Sequence, residues 1–268
     1  MKSALHILWR GLLVLLCGIF LGVFIFAAYK LYHTFHGYRT AEKEYDNLNQ
    51  QYVQTAAPTA TPTPTESPEA TPESNLEVVQ GLISVDFDSL LAKNPQVVGW
   101  IYSPNTVISY PVLKGVDNDH YLNYTFDGTY NPSGSIFMDC VCDEDLTMDN
   151  TILYGHHMND GSMFASLDGY KMEGYLEAHP VLYYLTPNQN YKLEVFCMFV
   201  TGADSDVYGF NFESRSAFQT FIDRMRSRSN YDTDVEVTSA DHIMTLSTCS
   251  YEFDDARYVV LCKIVPIA

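Results

Sequence analysis

From Gly11 to Tyr29 the chain carries no charged residue, and Leu, Val, Ile and Phe dominate the run. Arg10 and Lys30 bound it. A helix of about 20 apolar residues matches the hydrocarbon thickness of a bilayer. The run therefore reads as a membrane span, and whatever else the chain folds into must fold outside it. The rival reading is a cleaved secretory signal ending at Ala27-Ala28, but such a segment has a shorter apolar region. The full-length span and the helical pattern behind it favour an uncleaved anchor. Charge does not orient this anchor: Lys2 and Arg10 precede it, and Lys30, Arg39 and Lys43 follow it.

Behind the span, Ala41, Tyr45, Leu48 and Tyr52 recur at helical spacing and form a short stripe. The composition then changes. Residues 54–75 hold five of the chain's 12 Pro and no aromatic or large aliphatic side chain. Such a segment cannot bury enough apolar surface to offset its ordering entropy, so it reads as a disordered, extended linker. The expected organisation is an N-terminus (1–10), a transmembrane anchor (11–29), a juxtamembrane helix (30–53), a Pro/Thr-rich linker (54–75) and a folded body (76–268).

That body is strongly acidic. The whole chain has 15 Lys+Arg against 33 Asp+Glu, and all but three of the acids follow residue 50. A polyanion needs a basic face, so nucleic acid is excluded as a partner. Strand-like runs recur between turn signals at Val97–Tyr102, Val107–Val112, Ser135–Met138, Thr151–Tyr154, Val181–Leu185, Tyr191–Thr201, Ile243–Thr248 and Arg257–Val265. Eight strands suffice for a closed or nearly closed β-barrel, so the fold class is mainly β with a few peripheral helices. Asp86 can cap a short helix ending before Asn94-Pro95. A second helix surrounds Met163–Leu167. A third, near Ser214–Arg228, shows Phe218, Phe221, Ile222 and Met225 on one face. The nearby Arg215, Arg224, Arg226 and Arg228 could meet an anionic polymer, but a solvated helix face is the simpler reading. No internal repeat, Gly-rich phosphate loop or metal motif is present.

Six Cys do not form a disulfide framework. Cys17 lies in the span. Cys140 and Cys142 are too close together for zinc-type spacing. Cys197 and Cys262 sit in apolar strand runs, where Cys acts as a small core residue. Cys249 differs, because an apolar strand delivers it to the polar stretch Ser250–Ala256. A thiol there lies near solvent and needs a neighbouring cation to ionise at neutral pH. Arg257 starts the next strand and returns close to Cys249 if the two strands pair antiparallel. His156 follows Tyr154-Gly155 at another strand end. A thiolate, an imidazole and a guanidinium are the groups needed for acyl transfer: nucleophile, proton carrier and oxyanion partner. Taken singly, each has a structural reading: a packed Cys, a surface ion pair, and an accidental or metal-directed His156-His157 pair.

The segment Thr245-Leu-Ser-Thr-Cys249 resembles the TLxTC signature of the sortases. Asn150-Thr-Ile-Leu-Tyr-Gly-His-His-Met158, followed by Asp160-Gly-Ser-Met-Phe164, is similar to the class B form of their histidine motif. Arg257 takes the place of the sortase arginine, and the separations from His156 to Cys249 and from Cys249 to Arg257 suit class B. Gly99-Trp-Ile101, Tyr110-Pro-Val112 and Gly134-Ser-Ile-Phe-Met-Asp139 extend the likeness over nearly all of 85–268.

This resemblance implies an eight-stranded sortase-type barrel with Cys249 as nucleophile, His156 as acid/base and Arg257 as oxyanion or substrate clamp. His156 matches because it directly follows Gly155. In an extended segment the next imidazole points the other way, so His157 is expected to pack or hydrogen-bond. The implied peptide groove draws on Asn118, Leu122, Tyr154 and Ser247, with Tyr208 as a further candidate. No catalytic carboxylate is assigned, and the chemistry calls for no cofactor or metal.

The implied activity is cysteine transpeptidation. A sorting signal of a secreted protein, NPxTN-like or LPxTG-like, is cleaved after Thr and held as a thioester. An amine of a peptidoglycan precursor or a pilin Lys then resolves it. The family also implies a single-pass membrane protein with its catalytic domain extracellular, and a Pro/Thr spacer that gives the site its reach. Three other readings are a peptidase that resolves the thioester with water, a non-catalytic tethered binding domain, and a metal site on His156 and His157.

Overall fold

The computed structural model describes residues 2–55 and 83–267; residues 56–75 of the Pro/Thr-rich segment lie outside the described residues. One helix, α1 (Lys2–Tyr52), runs without a break through the apolar span and the stripe behind it. Its apolar residues between Leu12 and Tyr29 are exposed, and the helix is long and apolar enough to cross a membrane.

Beyond Gly37 the helix changes partner. Ala41, Tyr45, Leu48 and Tyr52 are all buried, so the stripe legible in the sequence is a packing face and the folded body covers it. Polar bonds fix the register. The Tyr45 hydroxyl donates to the Gly134 carbonyl at 2.6 Å, Asn49 Nδ2 donates to the Ser109 carbonyl at 2.9 Å, and Asn131 Nδ2 donates to the Gly37 carbonyl at 2.9 Å. The Glu44 carboxylate accepts from the Asp127 amide at 3.0 Å.

The helix leads into strand β1 (Val53–Thr55), which pairs antiparallel with β2 (Ile83–Val85), so that Val53 faces Val85 and Thr55 faces Ile83. Two sequence expectations change as a result. The body does not begin at residue 76, because residues 37–55 are packed into it; an apolar helix face needs a cover, and the barrel supplies one. The described residues on either side of 56–82 also pair with each other, Thr55 facing Ile83. The distance between span and barrel is therefore set by α1, which joins the body before residue 56.

Asp86 caps α2 (Phe87–Lys93), accepting from the Ser89 amide at 3.1 Å. Then come the barrel strands: β3 (Val97–Tyr102), β4 (Ser109–Leu113), β5 (Ile136–Met138), β6 (Asn150–Tyr154), β7 (Val181–Leu185), β8 (Asn190–Gly202), β9 (Ile243–Cys249) and β10 (Ala256–Ile267), with a one-turn helix, α3 (Tyr175–Ala178), just before β7. They close in the order β10-β8-β7-β3-β4-β5-β6-β9. The β4–β5 and β6–β9 pairs are parallel and the others antiparallel. All eight strands match the runs read between turn signals.

Period-two alternation sorts β9 and β10 into two faces. Met244, Leu246, Tyr258, Val260 and Cys262 join the main core. Ile243, Val259 and Leu261 point the other way into a second cluster with Phe218, Phe221, Ile222 and Met225 of α4 (Arg215–Arg226). The arginines of α4 are engaged in structural contacts. Arg215 pairs with Asp149, Arg224 and Arg228 pair with Asp206, and Arg226 donates to the Val235 carbonyl. Arg215, Arg224 and Arg228 remain open to solvent while making these contacts.

Candidate active site

Past the part covered by α4, the outer face of the barrel continues along β9 and β10 to Ser247, Cys249 and Arg257. Arg257 lies directly opposite Cys249 in the antiparallel β9–β10 ladder. Side chains opposed in this way stand about 5 Å apart at Cβ, on the same face. On the other flank β6 runs parallel to β9, with Tyr154 opposite Ser247, and the Gly155 amide extends the ladder by donating to the Ser247 carbonyl at 3.1 Å. His156 and Cys249 are each two residues beyond that pair, so the parallel strands deliver them side by side at their C-terminal ends.

Gly155 is required by close approach. A Cβ there would stand 2.4 Å from Ile136 Cδ1 and 2.7 Å from the Phe164 ring. Any larger residue would have to displace Ile136 or the Phe164 ring beside the His156 segment.

These residues line one cleft of about 540 Å³. Cys249, His156 and Arg257 all border it, as do Asn118, Leu122, Tyr154, Ser247 and Tyr208, so the fold brings together every site residue singled out in the sequence. Phe137, Val141 and Phe210 give the cleft apolar walls. Cys249 is half-buried, and no cysteine among the described residues forms a disulfide. The other barrel thiols are sealed in the core: burial pushes Cys197 up to about 12 and Cys262 still higher, so neither ionises near neutral pH. Arg257 forms no ion pair among the described residues, which leaves its guanidinium for a ligand in the cleft.

The imidazoles of His156 and His157 diverge. His156 Nε2 lies 2.7 Å from the Leu122 carbonyl oxygen. A carbonyl can only accept, so Nε2 carries the hydrogen and Nδ1 is left to exchange protons. His157 turns away from the cleft and places Nε2 2.8 Å from Asp168 Oδ2. Among the described residues no group of three or more His, Cys, Asp or Glu could hold a metal ion.

Two features of the site were missed in the sequence. Leu122, read as a groove residue, also orients the imidazole through its backbone. Asp139, buried at the end of β5, accepts from the Tyr154 hydroxyl, from Asn118 Nδ2 and from the Val141 amide, each at 2.9 Å. Asn118 Oδ1 meanwhile accepts from the Cys140 amide at 2.8 Å. Both ends of the Asn118 amide are thus held, leaving one N–H to offer the cleft. Burial, reinforced by the Asp139 charge, raises Tyr154 above the usual phenol range and keeps it a donor. Tyr208 bonds to Ser247 Oγ at 2.9 Å and completes the wall.

Comparison with known proteins accords with this geometry. The family model described as the sortase domain matches residues 101–265. Sortase B of Staphylococcus aureus is 38% identical over 184 residues, covering 68% of this chain and 75% of that one. The chain belongs to the sortase family, class B. Sortase B of Listeria monocytogenes is 31% identical over 247 residues, covering 91% and 93% of the two chains. A solved structure described as a Staphylococcus aureus sortase B-substrate complex aligns with a TM-score of 0.65 at 37% identity, covering 68% of this chain and 85% of that one. As a sortase this protein is a cysteine transpeptidase, and the closed eight-stranded barrel is shared with those class B structures.

Proposed function

We propose that this sortase cleaves a C-terminal sorting signal after Thr and transfers the acyl group to an amine, with Cys249, His156 and Arg257 as the working residues. The observation that carries the reading is their convergence: three side chains of the required chemistry, far apart in sequence, border one cleft. The Cys249 thiolate attacks the Thr carbonyl carbon, a C–S bond forms, and the carbonyl oxygen becomes an oxyanion beside the Arg257 guanidinium. Collapse breaks the C–N bond, and His156 gives its proton to the departing amine. The thioester then meets the acceptor amine. His156 takes a proton from it, the new C–N bond forms, and the C–S bond breaks to return the thiolate.

The apolar walls suit an extended peptide. The fixed Asn118 amide and the Tyr208–Ser247 pair supply the few polar groups that orient it. The sorting signal is NPxTN-like or LPxTG-like, and the acceptor is a peptidoglycan precursor amine or a pilin Lys. The span at 11–29 anchors the enzyme as a single-pass membrane protein, with residues 1–10 inside and the body outside. The chemistry uses side chains alone and assigns no cofactor.

Peptides of both kinds, incubated with the enzyme with and without an added glycine peptide or lysine derivative, test the reading. The expected result is a peptide–amine conjugate formed at the expense of the hydrolysed acid. Hydrolysis alone, unaffected by any amine, would make the protein a peptidase.

A further inference from the structure

Beside the cleft lies a cluster of charges that the acyl-transfer chemistry does not use. Lys171 ends a 3-10 helix, Phe164–Lys171, which follows the histidine segment. Its ammonium has three N–H donors. It donates to Glu252 Oε1 at 2.8 Å and to Ser250 Oγ at 3.0 Å, and it forms an ion pair with Asp168 Oδ1 at 2.8 Å. The Tyr258 ring closes a further side, its centroid 4.7 Å away. Ser250 passes its own hydrogen to the second oxygen of Glu252. The second oxygen of Asp168 is the partner of His157, whose ring meets Tyr251 edge-on at 5.2 Å.

The positions of these residues give the network its meaning. Ser250 directly follows Cys249, and His157 directly follows His156. One ammonium is therefore bonded to the neighbour of the thiol and, through a single carboxylate, to the neighbour of the imidazole. Tyr258 adds the residue after Arg257 to the same contact set. The side chains are partly open to water, at 26% for Lys171, 37% for Asp168 and 43% for Glu252. Exposed pairs contribute little to global stability. The network's leverage is local, because the connection it grips is the short one between nucleophile and guanidinium.

We propose that Lys171 is a positioning residue, clamping the loop behind Cys249 to the segment behind His156 and so setting the separation of thiol and imidazole. This rests on the roles proposed for those two residues. Without the ammonium, Asp168 and Glu252 are two anions facing each other across the place it held, and like charges drive the loop outward. In the intact network the bonds from Lys171 and Ser250 hold the Glu252 carboxyl down at about 2.

The test compares Lys171→Met and Lys171→Arg with the unaltered full-length protein. It reads amide hydrogen exchange of residues 250–255 together with kcat and KM on a sorting peptide. A shift of about 1 Å in a catalytic group costs on the order of 10²-fold. Lys171→Met is expected to speed exchange in 250–255 and to lower kcat at least tenfold by that scale, with KM little changed. Lys171→Arg is expected to restore most of both. Glu252→Gln, which leaves the Lys171–Asp168 pair intact, should move both readouts the same way and keeps the test open if Lys171→Met does not fold. A loop as protected as before, an effect on KM alone, or loss that Arg does not rescue overturns the clamp. Failure of the unaltered chain to acylate Cys249 refutes the roles assigned to the thiol and imidazole; normal acylation with unchanged loop exchange in the variants refutes the clamp alone.

Discussion

Tyr45 is the sharpest point at which to test whether α1 belongs to the barrel. Its ring is 4% exposed and meets Tyr110 edge-on at 5.3 Å, and its hydroxyl bonds to the Gly134 carbonyl at 2.6 Å and Ser135 Oγ at 3.1 Å. Tyr45→Phe keeps the packing and removes the hydroxyl. Ser135 retains its bond to the Tyr124 carbonyl, so the main loss is the donor to Gly134. One buried acceptor left unpaired costs about 1–2 kcal/mol, or roughly 2–8 °C in Tm for a body of this size. Tyr45→Ala also empties a ring-sized site and should cost about 3–5 kcal/mol. Urea unfolding of the chain from residue 31 onward, followed by Trp100 fluorescence, reads these values. Trp100 is fully buried in the barrel and bonds to Ser109, which in turn bonds to Asn49 of α1. Tyr130→Phe, at an exposed tyrosine, serves as the control and should stay within about 0.5 kcal/mol. A Tyr45→Ala loss below about 1 kcal/mol would refute the docked helix and restore a free stalk.

Other expected outcomes follow from the same geometry. Gly155→Ala must displace either Ile136 or the Phe164 ring, so peptide cleavage should fall at least tenfold, on the scale of catalytic misplacement; an unchanged rate would show that the His156 segment tolerates movement. His156→Ala should abolish turnover by orders of magnitude, whereas His157→Ala should retain His156 chemistry with a looser loop; the reverse order, read by peptide cleavage, would reassign the acid/base. The Glu252 carboxyl is depressed in the folded state from 4.5 to about 2. Its contribution to stability is therefore fully present above about 4.5 and disappears as pH falls toward 2. Acid unfolding of Glu252→Gln should lack that part of the pH dependence; a slope identical to the unaltered protein's would remove Glu252 from the network.

The barrel was legible because its strands are short apolar runs bounded by turn signals, so all eight could be read from Val97 to Val265. The site was legible where chemistry and motif coincide, at Cys249, His156 and Arg257. What stayed hidden has physical reasons. The stripe Ala41–Tyr52 announces a buried face but not what buries it. Strands Val53–Thr55 and Ile83–Val85 are too short to show a period. The Leu122 carbonyl that orients His156 belongs to the backbone and carries no sequence signal. Asp139 looks like a surface acid at a strand end until Tyr154 and Asn118 are seen to converge on it. Lys171 likewise carries no signal until its three partners, drawn from residues 168, 250 and 252, surround it.

The central claim is that Cys249 carries the acyl group. Intact-protein and tandem mass spectrometry of the enzyme, quenched during turnover of a sorting peptide, tests it most directly. The account predicts one added acyl group, ending at the Thr of the signal, mapped to Cys249 and absent from Cys249→Ala. An adduct on any other residue, or cleavage that persists in Cys249→Ala, would contradict it.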